Sequence, residues 1–460
     1  MRTFAGISVV LLLEVAALAV AVAWRRRTRQ HRDRSQDGRH LTAVLEVEDG
    51  DAPLPSGTRC LPLRIPAELL ADPMLGLADV RVVHHVQPTG AGLPERSQVG
   101  ASYQGLNESV AKTVRPMPGE PPIGPVPAVR LTWLALRLEL PGSRNAAWAE
   151  RARGPIKARG GGADGAARTL DKAVRTSVAK LNAAGFEAAT LAEAELRVTL
   201  AASVSVVAGG GDGGIGDAGG GRLGGPAGLG RHTPDGTSAL ADQPVGPGGL
   251  VIGLDPSHQP LLLALFRRRP LTVGVVGGLR LAQILALRGA AVGARVIVET
   301  ARQELWDPLL LDSGLDAARL AIQPVGRVTG NPGWAPPSPA APILVVRDCG
   351  ARPPYATTPR GPWTTILTLL PYLDVRAAGQ LATADLVGLQ RMSAEEAGVA
   401  RQAVGLSDKD TLALPELPES MALWRVRGRA GRYCEVTATA WEERIVADPV
   451  PARATASPAR

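Results

Sequence analysis

Aromatic side chains are scarce in this chain of 460 residues: Phe, Tyr and Trp together make up 3% of it. With 45% hydrophobic residues the chain still buries real cores, so aliphatic side chains must fill them. Cysteine is nearly absent. Cys60, Cys349 and Cys434 are far apart and odd in number, which argues against a disulfide framework and fits a reducing compartment. No C-x-x-C, no H-E-x-x-H and no G-x-S-x-G occurs, so zinc, metalloprotease and serine-hydrolase signatures are all missing. His84 and His85 are adjacent and point to opposite faces of a strand, which leaves no metal site in view. His232 and His258 lie in a linker and a turn with no nucleophile near them in sequence.

What is abundant is glycine, with 53 residues, and proline, with 39, and both are clustered. The net charge of +8 is clustered too. Between Arg25 and Arg39 seven arginines face two aspartates, a local balance of +5. Arg2 and Glu14 cancel, and everything after Arg39 carries only +3. A face tracking nucleic-acid phosphates needs its charge in the folded part. Here most of it borders an apolar run, which speaks for a membrane surface and against nucleic acid.

That run, Phe4–Trp24, is long enough to cross a hydrocarbon core of about 30 Å as a helix. An export signal carries its positive charge before the apolar stretch. Here the charge follows, as Arg25, Arg26 and Arg27, and such clusters stay on the cytoplasmic side. Trp24 sits where an interfacial aromatic belongs. The reading is an uncleaved anchor in the cell membrane with the rest of the chain in the cytoplasm. Glu14 lies inside the run. A charged carboxylate there costs about 2.5–3.5 kcal/mol, so it either inserts protonated or meets a donor on a neighbouring helix.

Beyond residues 1–3, the helix 4–24 and the basic stretch 25–40, the pattern divides the chain further. A first α/β domain is expected over 41–207, a glycine-rich linker over 208–248, a second α/β domain over 249–448 and a disordered tail over 449–460. In the first domain "HLTAVLEVEDGD" and "VRVVHHVQP" read as strands, "TVRPMPGEPPIGPVPAV" as an extended connector, and "AVRLTWLALRLEL" as a central strand with apolar side chains on both faces. Leu170, Val174, Val178 and Leu181 recur at helical spacing. Asp164 is a candidate cap and Gly185 a candidate stop before Phe186. A further helix is expected at "AEAELRVTLAAS". The triplet Gly160–Gly162 raises phosphate binding, but no Lys-Ser/Thr follows it, which favours a turn.

The second domain reads as a hairpin turning at Asp255-Pro256, then strand–helix–strand over "LTVGVVG", "LRLAQILALRGAAVG" and "ARVIVET", the last expected as the parallel partner of the first. Strands follow at "APILVVRD", "GPWTTILTLL" and "ADLVGLQR". A helix starts at the capping box Ser393–Glu396, and a closing hairpin spans "RAG". The fold class is therefore α/β, with an N-terminal transmembrane helix and two cytoplasmic domains, the second doubly wound and P-loop-like but degenerate.

Degenerate is meant chemically. A phosphate loop needs Gly-x4-Gly-Lys-Ser/Thr, whose lysine neutralises phosphate and whose hydroxyl holds Mg²⁺. The turn here reads "GVVGGLRLAQ": Arg280 stands near the lysine position and no hydroxyl follows. Gly274, Gly277 and Gly278 do not give the dinucleotide spacing either. Asp348, at the end of "ILVVRD", is a candidate relic of the metal-holding acid. An inactive scaffold without cofactor is the main reading. A nucleotide-binding regulator using Gly274, Gly277, Gly278, Arg280 and Asp348 is the alternative.

Several stretches in order, "PAVRLTWLALRLE", "KARGGGADGAARTLDKA", "LNAAGFEAATLAEAEL", "GLVIGLDPSHQPLLLALFRRRPLTVGVVGG", "VGARVIVET", "APILVVRD" and "ADLVGLQRMSAEEA", resemble the EccE component of actinobacterial type VII (ESX) secretion systems. The resemblance spans nearly the whole chain apart from linkers, and none of its motifs is catalytic. It implies a structural, membrane-anchored subunit of a hetero-oligomeric complex, with EccB, EccC and EccD as neighbours and EccC supplying the ATPase. The family commonly shows two adjacent membrane helices near its start, and this sequence shows one. The basic stretch Arg25–Arg39 would lie on membrane lipids.

Overall fold

The computed structural model describes residues 40–50, 53–55, 59–87, 93, 97–113, 129–143, 146–191, 243–245, 248–326, 334–350 and 361–447. The anchor Phe4–Trp24, the basic stretch, the proline-rich connector, the helix expected at "AEAELRVTLAAS" and the tail lie outside the described residues, as does nearly all of the glycine linker. Among the described residues, no helix is long and apolar enough to cross a membrane.

The chain forms two compact units. Its described residues in the first come from within 40–50, 58–85 and 131–246, and those in the second from within 51–57, Val86–Arg130 and 247–447. A division at the glycine linker alone, 41–207 against 249–448, thus misses two exchanges: the described residues within 51–57 and within 86–130 belong with the second unit.

In the first unit, strands β1 (His40–Asp49), β3 (Asp79–Gln87), β4 (Val129–Glu139) and β5 (Phe186–Thr190) form a sheet in the order β3-β4-β1-β5. The apolar β4 is internal, as its two-faced pattern predicts. β1 runs antiparallel to β4 (Leu45↔Leu134) and to β5 (Asp49↔Phe186). Alternation then sends Leu41, Ala43, Leu45 and Val47 to one face with Leu134, Leu136 and Leu138. Three helices cover that face. α1 (Arg64–Ala71) brings Ile65 and Leu69; two more span Ala146–Ala158 and Gly162–Ala183 and bring Ala152, Ile156, Ala166, Leu170, Ala173 and Leu181. A short ladder of β2 (Arg59–Leu61) with β6 (Gln243–Val245) completes the unit. β6 corrects the linker expected over 208–248, whose last residues pair as an edge strand that tolerates Pro244.

The glycine triplet is a joint between helices. Gly160, Gly161 and Gly162 all hold positive φ, at 102°, 69° and 57°, a run that side chains resist and glycine permits. The chain thereby reverses from one helix into the next, and Gly165 lets them meet, since a Cβ there would stand 2.5 Å from the Ile156 carbonyl oxygen. The amides of Gly160 and Gly161 donate to the carbonyls of Lys157 and Ile156, so they are spent inside the turn. Asp164 sits exposed within the first helical turn and does not cap it: Gly161 holds the N-cap position.

The second unit carries helix α2 (Gln98–Thr113), which precedes the two long helices just described, numbered α3 (Ala146–Ala158) and α4 (Gly162–Ala183). Its sheet holds β7 (Leu250–Leu254), β8 (Pro260–Leu263), β9 (Leu271–Val276), β10 (Arg295–Thr300), β11 (Leu320–Gln323), β12 (Ile343–Asp348), β13 (Thr364–Leu370), β14 (Leu386–Leu389), β15 (Met421–Val426) and β16 (Arg432–Val436). Their order is β11-β10-β12-β13-β9-β14-β15-β16-β7-β8. β11 to β14 are parallel, and the remaining four are antiparallel. The strand "ARVIVET" is thus parallel to β9 but not its neighbour: β13 and β12 come between, because later strands insert after the first crossover. The first and last strands of the unit meet at β7 and β16. There Gly253 passes so close that a Cβ would lie 1.7 Å from the Glu435 carbonyl oxygen.

Alternation along these strands feeds two faces. Leu271, Val273 and Val275 face α5 (Leu279–Ala291), while Val276 joins Leu381 of α7 (Ala378–Thr383) and Ala397 of α8 (Ala394–Val404) on the other side; between them in sequence lies α6 (Asp307–Asp312). α8 starts at the expected capping box: Ser393 Oγ accepts from the Glu396 amide, and Glu396 Oε2 accepts from the Ser393 amide. α9 (Asp408–Ala413) and α10 (Glu442–Ile445) complete the helices. α5 is buried all round, the mark of a helix covered on both sides. Its outer cover is α2, whose Val99, Tyr103, Leu106 and Val110 share its core.

Candidate functional site

In open α/β sheets ligands bind beyond the carboxyl ends of the parallel strands, where the connections diverge. Here that place is the end of β9, whose neighbours β13 and β14 are reached later in the chain. β9 stops at Val276 and α5 starts at Leu279, so only Gly277 and Gly278 join them. A phosphate loop is several residues longer, because its backbone must curl round the anion.

The short turn is also filled. The Gly278 amide, which opens α5 and would face an anion, donates instead to Gln390 Oε1 at 2.9 Å. Gln390 is held there because its own amide donates to the Val276 carbonyl and its Nε2 to the Glu419 carbonyl. A Cβ on Gly277 would stand 2.3 Å from Gln390 Oε1, so glycine is needed here to admit a side chain, not a phosphate. The Gly277 amide donates to the Leu370 carbonyl. Gly274 lies within β9 under α7, where its missing Cβ makes room for Leu381.

Arg280 turns away from the strand ends. It pairs with Glu443 and donates to the Ala447 carbonyl at 3.3 Å, both near the C-terminal end of the unit. Asp348 does lie at the end of β12, where a metal-holding acid would stand, but its oxygens are taken. Oδ2 accepts from Thr300 Oγ1 at 3.1 Å and from Trp306 Nε1 at 2.9 Å, and Oδ1 pairs with Arg302. Asp348 and Trp306 are both buried. Next to them Glu299 accepts from Arg347 Nε and from the Gly326 amide, each at 2.8 Å. The acids at this edge are thus neutralised by arginines of the same unit. Among the described residues no cluster of acids, histidines or cysteines is arranged to hold a metal ion.

Five residues named from the sequence, Gly274, Gly277, Gly278, Arg280 and Asp348, therefore do not converge on one ligand position. Glu14, Trp24, Arg25, Arg26 and Arg27 lie outside the described residues. The residues that occupy the edge, Gln390, Trp306 and Arg302, escaped sequence reading. Trp306 alone left a signal, as a lone aromatic just past a buried strand.

Cys349 follows Asp348. Burial, then the neighbouring Glu299 carboxylate, pushes its thiol up to about 12, and burial does the same for Cys434. Cys60 is exposed. Because the thiolate is the reacting form, maleimide at pH 8 is expected to modify Cys60 about a hundredfold or more faster than the other two. Mass spectrometry of a labelling time course reads this directly. A Cys349 rate equal to that of Cys60 would mean that the strand-end edge opens to solvent.

Residues 126–211 match the model of the EccE family, described as a type VII ESX secretion system translocon. No curated protein matches the sequence. Among solved structures, the chain is similar to the cytoplasmic domain of the type VII secretion ATPase EccC of Thermomonospora curvata, at 16% identity and a TM-score of 0.30, over 41% of this chain and 28% of that one. VirB4 of Thermoanaerobacter pseudethanolicus matches at 9% identity and a TM-score of 0.31, over 43% of this chain and 99% of that one. B204, the DNA-packaging ATPase from Sulfolobus Turreted Icosahedral Virus, matches at 9% identity and a TM-score of 0.24, over 37% of this chain and 98% of that one.

Proposed function

From a chain that carries the EccE segment of type VII secretion systems at residues 126–211, we infer a structural subunit that braces its partners and performs no nucleotide chemistry of its own. Phe4–Trp24 anchors it in the cell membrane, Arg25–Arg39 holds the folded units on the cytoplasmic side, and their surfaces dock other secretion subunits. The observation that carries the reading is the plugged turn: Gln390 occupies the amide that a phosphate would need. With Asp348 locked by Thr300, Trp306 and Arg302, the edge is left as a rigid wall. Such a fold contributes shape and surface to an assembly. The EccC, EccB and EccD subunits are the partners this reading expects.

Two measurements test it. Purification of the full chain in mild detergent is expected to bring other secretion subunits with it, and a lone monomer would overturn the bracing role. Mg-ATP and Mg-GTP are expected to leave its melting point unchanged. A ligand at a hundred times its dissociation constant adds about 2.7 kcal/mol of stability, so a tight nucleotide would be plain. A rise with either one would revive the regulator built on Gly274–Arg280.

A further inference from the structure

Outside the stretch Arg25–Arg39, the helix pair α3–α4 carries a marked excess of positive charge. Residues 146–183 carry eight arginines and lysines against three acids, a balance of +5, so the rest of the chain beyond both basic stretches sums to −2. Folding puts this charge on one side. The buried stripes Ala149, Ala152 and Ile156 of α3 and Ala166, Leu170, Ala173 and Leu181 of α4 face the sheet. Arg153, Lys157, Arg168, Lys172 and Arg175 are exposed on the same two helices. Their opposition is light: Glu150 pairs with Arg153, and Asp164 and Asp171 are the other acids of the pair. Lys172, Arg175 and Lys180 lie with Thr176, Ala179 and Ala183 along one open face of α4, and Lys180 is engaged by Glu68. Trp148 lies half-buried at the start of α3, with the Arg151 guanidinium 5.4 Å from its ring. An indole beside arginines suits the headgroup level of a bilayer.

We propose that the outer face of α3–α4 is a second membrane-contact surface, which lays Lys157, Arg168, Lys172 and Arg175 on anionic phospholipid headgroups. The proposal deepens the anchoring part of the proposed function and rests on it. β1 begins at His40, directly after the basic stretch, so this unit follows the anchor with at most about 50 Å of extended chain between them. One anionic surface then serves both clusters of charge. Contact of this kind weakens with salt, because exposed charges are screened beyond about 8 Å at physiological ionic strength.

The test uses the full chain with Ala179→Cys in a Cys60→Ser background, carrying a fluorescent donor. Vesicles of phosphatidylcholine alone, or with about 30% phosphatidylglycerol, carry a headgroup acceptor. Energy transfer is expected to be severalfold higher on the anionic vesicles. It should fall to the neutral-vesicle level in Lys157→Glu/Lys172→Glu/Arg175→Glu, or in 0.5 M salt (roughly a 4 Å screening length). A Gln version of the same triple variant should fall part of the way, and unchanged circular dichroism certifies both folds. Flotation of the same samples reports the anchor separately. A chain that floats on neutral vesicles, yet gives equal transfer on both vesicle types, keeps its anchor and overturns the proposal. A chain that floats only on anionic vesicles, with transfer lost in the triple variant, upholds the proposal and overturns the anchor. Transfer insensitive to the triple variant, or a donor that responds to a soluble RNA oligonucleotide and not to anionic vesicles, overturns it as well.

Discussion

Replacing Arg288 with alanine is expected to remove about 3–5 kcal/mol of stability, among the largest losses any single surface-to-core position of this chain can give. Arg288 lies on α5 with 1% of its surface exposed, and Glu442 beside it with 2%. Its Nε and Nη2 donate to the two carboxylate oxygens of Glu442, each at 2.8 Å. Nη1 donates to the carbonyls of Val251 and Ile252 on β7, and Nη2 also donates to that of Thr437. Glu442 in turn accepts from the Thr439 amide at 2.8 Å. One guanidinium thus ties α5 to the first strand of the unit and to the segment after its last. Alanine leaves a buried carboxylate uncompensated and three carbonyls short of a donor, which is why the loss exceeds that of a surface pair. Denaturant melts of the full chain measure it. The double change Arg288→Met with Glu442→Leu removes both charges and is expected to recover much of the loss, and the double-mutant cycle isolates the pair. A single variant within about 0.5 kcal/mol of the parent would mean that the pair is not buried in solution.

Tyr103→Ala is expected to cost a comparable amount, about 3–5 kcal/mol, because it empties the seat between α2 and the second unit's core. Tyr103 is 1% exposed. Its hydroxyl accepts from the Val251 amide at 2.8 Å and donates toward the Gly249 carbonyl at 3.4 Å. Tyr103→Phe keeps the ring and strands that amide, so about 1–3 kcal/mol should go. Burial pushes the phenol up to about 12, so its ultraviolet signal should not titrate until the alkaline end of the scale. Ser102 and Gln98 bond Thr439 and Trp441, so α2 touches the same C-terminal segment that Glu442 anchors. A fragment cut at Gly249 lacks α2 and leaves one side of α5 bare. It is expected to aggregate or melt early, and a fragment as stable as the full chain would show that α2 is dispensable.

Local signals were legible in the sequence and distant ones were not. β4 announced itself by apolar residues on both faces, α4 by its 3.6 period, and α8 by Ser393 and Glu396. Each depends on neighbours within a few positions. α2 went unread because small and polar residues dilute the stripe Val99, Tyr103, Leu106 and Val110, and only α5, far along the chain, completes it. The insertion of β12 and β13 between β9 and β10 is likewise a matter of distant pairing. At the strand-end edge, the missing lysine and hydroxyl were plain from "GVVGGLRLAQ". That Gln390 would fill the gap and Trp306 would lock Asp348 was not, since 112 and 42 positions separate the partners.

Interleaving of the two units sets a timetable for synthesis. α2 leaves the ribosome early, whereas its seat on β7 and α5 is translated only after residue 250. At about 5–20 residues per second, an apolar stripe headed by Tyr103 waits roughly ten to forty seconds for its partner. Slow translation across the glycine run would lengthen that wait, and chaperone capture of nascent chains stalled there is where its trace should be sought.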